Sequence, residues 1–88
     1  MFNDSKYTRW YYSIIQNATQ KHSCVEKHHI IPRSLGGSND KKNIVKLSLR
    51  EHFICHRLLV KMTEGIAKQK MYNGLLRMLT SKKHTSKP

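Results

Sequence analysis

Residues 26–32, Glu26-Lys27-His28-His29-Ile30-Ile31-Pro32, carry the reading of this chain, together with their answer downstream in Ser48-Leu49-Arg50-Glu51-His52-Phe53-Ile54-Cys55-His56-Arg57. The first stretch is short, ends in β-branched residues and is stopped by a proline, which predicts a strand over Val25–Ile31. The second opens on Ser48 with Glu51 three residues later. In that capping-box pattern each side chain satisfies the other residue's backbone amide, so a helix is predicted from about Leu49 to about Met62. Four of the six histidines fall in these two stretches. His52 and His56 are four apart on the predicted helix and leave it from one face. Brought together, such imidazoles are ligands for divalent ions, and imidazole is also a general base near neutral pH.

Working outward, Pro32 to Asn43 contains Gly36-Gly37-Ser38-Asn39-Asp40 and reads as a turn-rich loop. Ile44-Val45-Lys46-Leu47 then forms a second strand. Towards the N-terminus, Asp4 or Ser5 is a plausible cap for a first helix. Tyr7, Trp10, Tyr11, Ile14, Ile15 and Ala18 recur on it at the helical period, a stripe read as core. Gln20–Cys24 is polar and reads as a loop. Thr63-Glu64-Gly65 ends the helix that carries His52 and His56, with Gly65 free to take the left-handed conformation. A further helix follows from roughly Ile66 to Thr80, with Met71, Leu75, Met78 and Leu79 on one face, widened by Tyr72 and Leu76. Residues 81–88 contain no apolar residue and are expected to be a basic flexible tail or the start of a linker. The order helix, strand, loop, strand, helix, helix predicts an α+β domain over residues 1–80.

The chain has 88 residues, with 17 Lys and Arg against 5 Asp and Glu, a formal net charge of +12. A balanced mixture of charges would serve solubility, so this excess points to a polyanionic partner, DNA above all. Arg33, Arg50 and Arg57 beside the histidine stretches, and Lys6 and Arg9 on the first helix, are the candidate phosphate contacts. Cys24 and Cys55 are too few and too far apart for a disulfide framework. No apolar run approaches the roughly 20 residues a membrane span needs, and the first residues lack the layout of a secretory signal. A soluble, cytoplasmic protein with no membrane partner is expected. A core this small leaves room for stabilisation by a metal, a partner or a larger parent protein.

His28-His29-Ile30-Ile31-Pro32, Leu35-Gly36-Gly37, Lys42-Asn43-Ile44-Val45 and His52-Phe53-Ile54-Cys55-His56-Arg57 together resemble the HNH nucleases, whose ββα-metal (His-Me finger) fold is shared by colicin DNases and phage homing endonucleases. The motif core covers residues 25–60. The paired histidines and the His52-x3-His56 ending are most like the colicin type. The wider wording, from Tyr7-Thr8-Arg9-Trp10-Tyr11-Tyr12 to Thr63-Glu64-Gly65, looks more like the phage enzymes. The resemblance implies a metal-dependent endonuclease that cuts DNA to leave a 5′-phosphate and a 3′-hydroxyl. It places His29 as general base, and His28, His52 and His56 as ligands of one divalent ion. Asn43 is implied as the residue that ties down the loop and helps orient the base. Imidazole, with a reference pKa of about 6.5, is mostly neutral above pH 7 and can both accept a proton and bind a metal. Three imidazoles without a carboxylate suit softer ions such as Zn²⁺ and Ni²⁺, whereas Mg²⁺ and Mn²⁺ prefer oxygen. The resemblance also leaves room for a homodimer, for a C-terminal DNA-recognition domain beyond this chain, and for a bacterial host cytoplasm if the chain is phage-encoded.

Two points remain open to geometry. Successive residues of a regular strand face opposite ways, so His28 and His29 can share a site only if the strand ends or bulges there. A rival reading makes the domain a non-catalytic nucleic-acid binder, with Cys24, His28, His52 and His56 closing a structural zinc site.

Overall fold

The computed structural model describes residues 1–18 and 26–80. Five regular elements follow the predicted order: α1 (Lys6–Gln16), β1 (Glu26–His29), β2 (Ile44–Leu47), α2 (Leu49–Met62) and α3 (Gly65–Thr80). Short 3-10 turns at Arg33–Leu35 and Lys41–Asn43 shape the loop between the strands. This is the expected α+β class, three helices and a two-stranded sheet, compatible with a small ββα core.

Ser5 caps α1 by accepting from the Thr8 amide. Ser48 and Glu51 form the reciprocal capping box at the start of α2, at 3.1 and 3.0 Å. At the other end of α2, the Asn3 amide donates to the Met62 carbonyl at 2.8 Å and its side chain donates to the Lys61 carbonyl. The N-terminal segment thereby satisfies carbonyls that a helix end otherwise leaves open. Gly65 takes a positive φ of 61° at the sharp turn into α3, the freedom expected of it.

The strands pair antiparallel with Glu26 opposite Leu47, Lys27 opposite Lys46, His28 opposite Val45 and His29 opposite Ile44. Strand β1 is shorter than predicted. Ile30 and Ile31 leave it in a bend, and Val25 lies outside the described residues, as do the Gln20–Cys24 loop, His22, and the tail with His84.

Tyr11, Leu47, Cys55, Leu58, Leu59, Met62 and Met71 form the buried core where α1, the sheet and α3 meet α2. The aromatic stripe of α1 divides. Tyr11 is fully buried, whereas Trp10 is 54% exposed and stands outside the core it was expected to join. On α3 only Met71 is buried, and Tyr72, Leu76 and Leu79 face outward. No helix among the described residues is long and apolar enough to cross a membrane.

Candidate active site

Alternation along β1 puts Glu26 and His28 on the side facing α2, and the four-residue spacing on α2 puts His52 and His56 opposite them. The ring centroids of His28 lie 5.1 Å from His52 and 5.3 Å from His56, and those of His52 and His56 lie 4.8 Å apart. One nitrogen from each of the three rings lies within 4.8 Å of the others. These three histidines can hold a metal ion.

The donor chemistry fits. His52 Nε2 and His56 Nε2 are 3.2 Å apart. Two nitrogens bound at about 2.0–2.1 Å to one tetrahedral ion stand about 3.3–3.4 Å apart. In the metal-free chain the same approach is an N–H···N hydrogen bond. His52 Nδ1 faces the Glu26 carboxylate at 3.4 Å, the kind of outer partner that orients a ligating imidazole. Glu26 is therefore beside the cluster. Burial, and then His56, His52 and His29, push His28 down to about 3; burial and His52 push His56 down to about 4. Both rings are neutral at pH 7, with lone pairs open to a cation.

His28 is 2% exposed, and Tyr11 fixes its ring. Tyr11 Oη donates to the Ile30 carbonyl at 2.7 Å and lies 2.7 Å from His28 Nε2. A carbonyl only accepts, so the one phenolic proton goes to Ile30 and the phenol oxygen accepts from His28 Nε2–H. That leaves the lone pair on Nδ1, which is buried and has no hydrogen-bond partner among the described residues. Burial, with Cys55 and Tyr12 adding to it, raises the Tyr11 pKa, so the phenol keeps its proton. Periodicity reads Tyr11 as core and gives no sign of this contact.

His29 closes the strand. It lines one cavity of about 220 Å³ together with His28, His52, His56, Lys27, Pro32 and Arg33. The strand ends at the pair, as a shared site requires. Its Nε2 is 2.8 Å from the Asn39 amide oxygen. An amide oxygen accepts, so His29 carries its proton on Nε2 and its lone pair on Nδ1. Asn39, read only as a turn residue, is thus the partner of His29.

Asn43 does a different job. Its side chain accepts from the Ile31 amide at 2.8 Å and donates to the Ile31 carbonyl at 3.0 Å and the Ser38 carbonyl at 2.8 Å. It stands in for a partner strand where β1 has ended. Gly37 permits this closeness, because a Cβ there would lie 1.7 Å from the Ile31 carbonyl oxygen.

Of the candidate phosphate contacts, only Arg33 lines the histidine cavity. Arg50 and Arg57 line a separate groove with Tyr7, Trp10, Phe53 and Lys61. The Arg57 guanidinium lies 5.9 Å from the Phe53 ring centroid. On α1, Lys6 lies 5.4 Å from the Tyr7 ring centroid, and Arg9 makes an exposed ion pair with Asp4 at 3.5 Å. Cys55 is buried in the core, and burial, then Glu51, push its thiol up to about 12. Cys24, the thiolate of the structural-zinc reading, lies outside the described residues.

Comparison with known proteins adds an independent line. Over 82 residues, 86% of its length, the chain is 39% identical to probable mobile endonuclease C of Enterobacteria phage T4, covering 37% of that protein. The chain is similar to phage mobile endonucleases. Over 37 residues it is 62% identical to probable mobile endonuclease E and 60% identical to probable mobile endonuclease D of the same phage, covering 26% and 14% of them. The chain therefore spans between 14% and 37% of the length of these curated relatives. No family model and no solved structure matches it.

Proposed function

We propose that this chain is a metal-dependent, HNH-type endonuclease module that hydrolyses phosphodiester bonds of duplex DNA. The observation that carries the reading is the convergence of the imidazoles of His28, His52 and His56 under one cavity that His29 also lines. The similarity to proteins named mobile endonucleases supports the same class.

His28, His52 and His56 would hold one divalent ion, which when bound supplies Lewis-acid stabilisation of charge on the phosphate and the departing oxygen. His29 Nδ1 takes a proton from the attacking water, and the Asn39 carbonyl stabilises the imidazolium through Nε2–H. The water oxygen forms the new bond to phosphorus as the bond to the 3′-oxygen breaks. Solvent protonates that oxygen, leaving a 5′-phosphate and a 3′-hydroxyl. Asn43 and Gly37 fix the loop from which Asn39 reaches His29. The +12 charge draws the polyanion in. On this reading residues 1–80 form the nuclease domain, acting in the cytoplasm of a phage-infected cell.

A plasmid-nicking assay on metal-stripped protein tests it, with Mg²⁺, Mn²⁺, Ni²⁺ or Zn²⁺ added back. Wild type converts supercoiled to open-circle DNA with at least one ion, and His29→Ala does not while still binding that ion. Failure to nick with every ion, with unfolding on zinc removal, would favour a structural-zinc binding module instead.

A further inference from the structure

A second cleft opens directly beside the histidine cavity, between the loop at residues 32–34 and α3. It holds about 520 Å³, and Pro32, Arg33 and His56 line both spaces. Lys70 and Arg77 line its other wall. They are seven apart on α3, two helical turns and about 10 Å along one face. Gly74 lies between them, and a Cβ there would stand 4.0 Å from His56 Nδ1, so the floor of the cleft is open next to that ring. Lys70 Nζ donates to the Ser34 carbonyl at 3.2 Å, tying the loop to α3 and leaving two of its three protons for a ligand. None of the five Asp and Glu side chains, all among the described residues, lines the cleft.

We propose that this cleft is a phosphate-backbone site. Arg33, Lys70 and Arg77 hold the sugar-phosphate strand of DNA on one side of the phosphate that His29 addresses. The inference rests on the endonuclease reading for the position of that phosphate. A strand seated over the histidine cavity must leave it, and this cleft adjoins it with Arg33, Lys70 and Arg77 as its charged side chains among the described residues. The groove with Arg50, Arg57 and Lys61 does not serve this purpose. At 100° per residue, positions 50, 57 and 61 fall within a narrow sector of α2, and 52 and 56 point from the far side. That groove and the histidine cavity share no lining residue. Charge composition cannot make this distinction, because α3 carries its cations far from the histidines in sequence.

The test is fluorescence anisotropy with a labelled DNA duplex over a salt series, in the His29→Ala background so that nothing is cut. Lys70→Gln keeps a donor for the Ser34 carbonyl, so K70Q/R77Q removes charge with little loss of structure, which thermal melting verifies. Affinity is expected to fall at least tenfold, and the slope of log K against log salt to shrink by about 1.8, roughly 0.9 for each lost phosphate contact. Zinc affinity should be unchanged. Lys70→Arg with Arg77→Lys should retain most of the binding. An unchanged affinity and slope in folded K70Q/R77Q overturns the site, as does a loss that appears only in R50Q/R57Q. Nicking is read separately. Wild type that never nicks but loses DNA with K70Q/R77Q removes the endonuclease reading and keeps the backbone site. Wild type that nicks while K70Q/R77Q binds normally does the reverse.

Discussion

Tyr11 Oη stands 2.7 Å from His28 Nε2 and hands its own proton to the Ile30 carbonyl, so a phenol on the first helix sets which nitrogen of His28 is free. Tyr11→Phe keeps the ring and removes both bonds. His28 can then place its proton on either nitrogen, and the Ile30 carbonyl loses a partner. Zinc affinity, measured by competition with a chelator, should fall about 10–100-fold, the usual effect of losing an outer partner of a ligating imidazole. In metal-free wild type the ¹⁵N shifts of His28 should report the Nε2–H tautomer, and in the variant a mixture. If Tyr11→Phe bound zinc as tightly with the same tautomer, the phenol would be packing and nothing more.

The three-imidazole cluster predicts ligand-linked stability. An ion that binds the folded chain and not the unfolded one adds RT ln(1 + [L]/Kd), about 2.7 kcal/mol at a hundredfold excess over Kd. Zinc or nickel should therefore raise the melting temperature of wild type. His52→Ala and His56→Ala should each lose most of that rise, and His29→Ala should keep it. A shift retained in both His52→Ala and His56→Ala would mean the ion binds elsewhere.

The pH dependence of the metal-free protein follows from burial. His28 and His56 are held down to about 3 and about 4, against about 6.5 in an unfolded chain. Below pH 6.5 the unfolded chain takes up protons that the folded one refuses, so stability falls as pH drops from about 6.5 towards about 4. The loss begins about one pH unit above 6.5, and at higher pH these two groups contribute almost no slope. Urea melts of chelated protein at pH 7.5, 6 and 5 should show the loss, and it should be shallower in His56→Ala. Equal stability at pH 7.5 and 5 would show that neither ring is kept neutral by the fold.

Much of the frame is legible in the sequence because its signals are local. The capping box marks the start of α2, and the short run Ile44–Leu47 between the turn-rich loop and Ser48 marks β2. What is not legible depends on partners distant in the chain. Tyr11 and Trp10 are neighbours on one aromatic stripe, yet the structure buries one against His28 and leaves the other exposed. Glu26 has no assigned role in the sequence, and alternation with the packing of α2 brings it to His52. Ile30 and Ile31 have strand-like side chains, but the Asn43 side chain takes the Ile31 backbone bonds that a strand would have used, and Tyr11 takes the Ile30 carbonyl. Arg50 and Arg57 are near the histidines in sequence and point away from them by the helical period itself.

Gly36 and Gly37 should differ sharply under the same substitution. Gly36 has φ +98° with open space where a Cβ would go, so Gly36→Ala meets only backbone strain, about 1–2 kcal/mol. At Gly37 a Cβ would lie 2.6 Å from the Ile31 carbonyl carbon as well as 1.7 Å from its oxygen, and 3.0 Å from Asn43 Nδ2. The loop must move off Asn43 to admit it. Thermal denaturation should show Gly37→Ala clearly the more damaging, and nicking should be reduced with it. Equal costs at the two positions would mean the loop does not need this close approach.

Two asparagines of the loop separate stability from chemistry. Asn43 makes three side-chain hydrogen bonds to the Ile31 and Ser38 backbone, and Asn39 makes one to His29. Asn43→Ala strands half-buried backbone groups and should lower stability by about 1–3 kcal/mol, with activity falling as the loop loosens. Asn39 is exposed, and Asn39→Ala should leave the melting temperature nearly unchanged. Its effect falls on His29, which loses the acceptor that fixes its tautomer and steadies its protonated form. Turnover should then drop about tenfold or more, within the roughly 10²–10⁴ that such proton transfer contributes, while KM and zinc affinity stay near wild type. Asn39→Asp supplies the same acceptor and should restore part of the rate. If Asn39→Ala nicked DNA at the wild-type rate, His29 would not depend on this bond, and Asn43, acting through the loop, would be left as the residue that positions it.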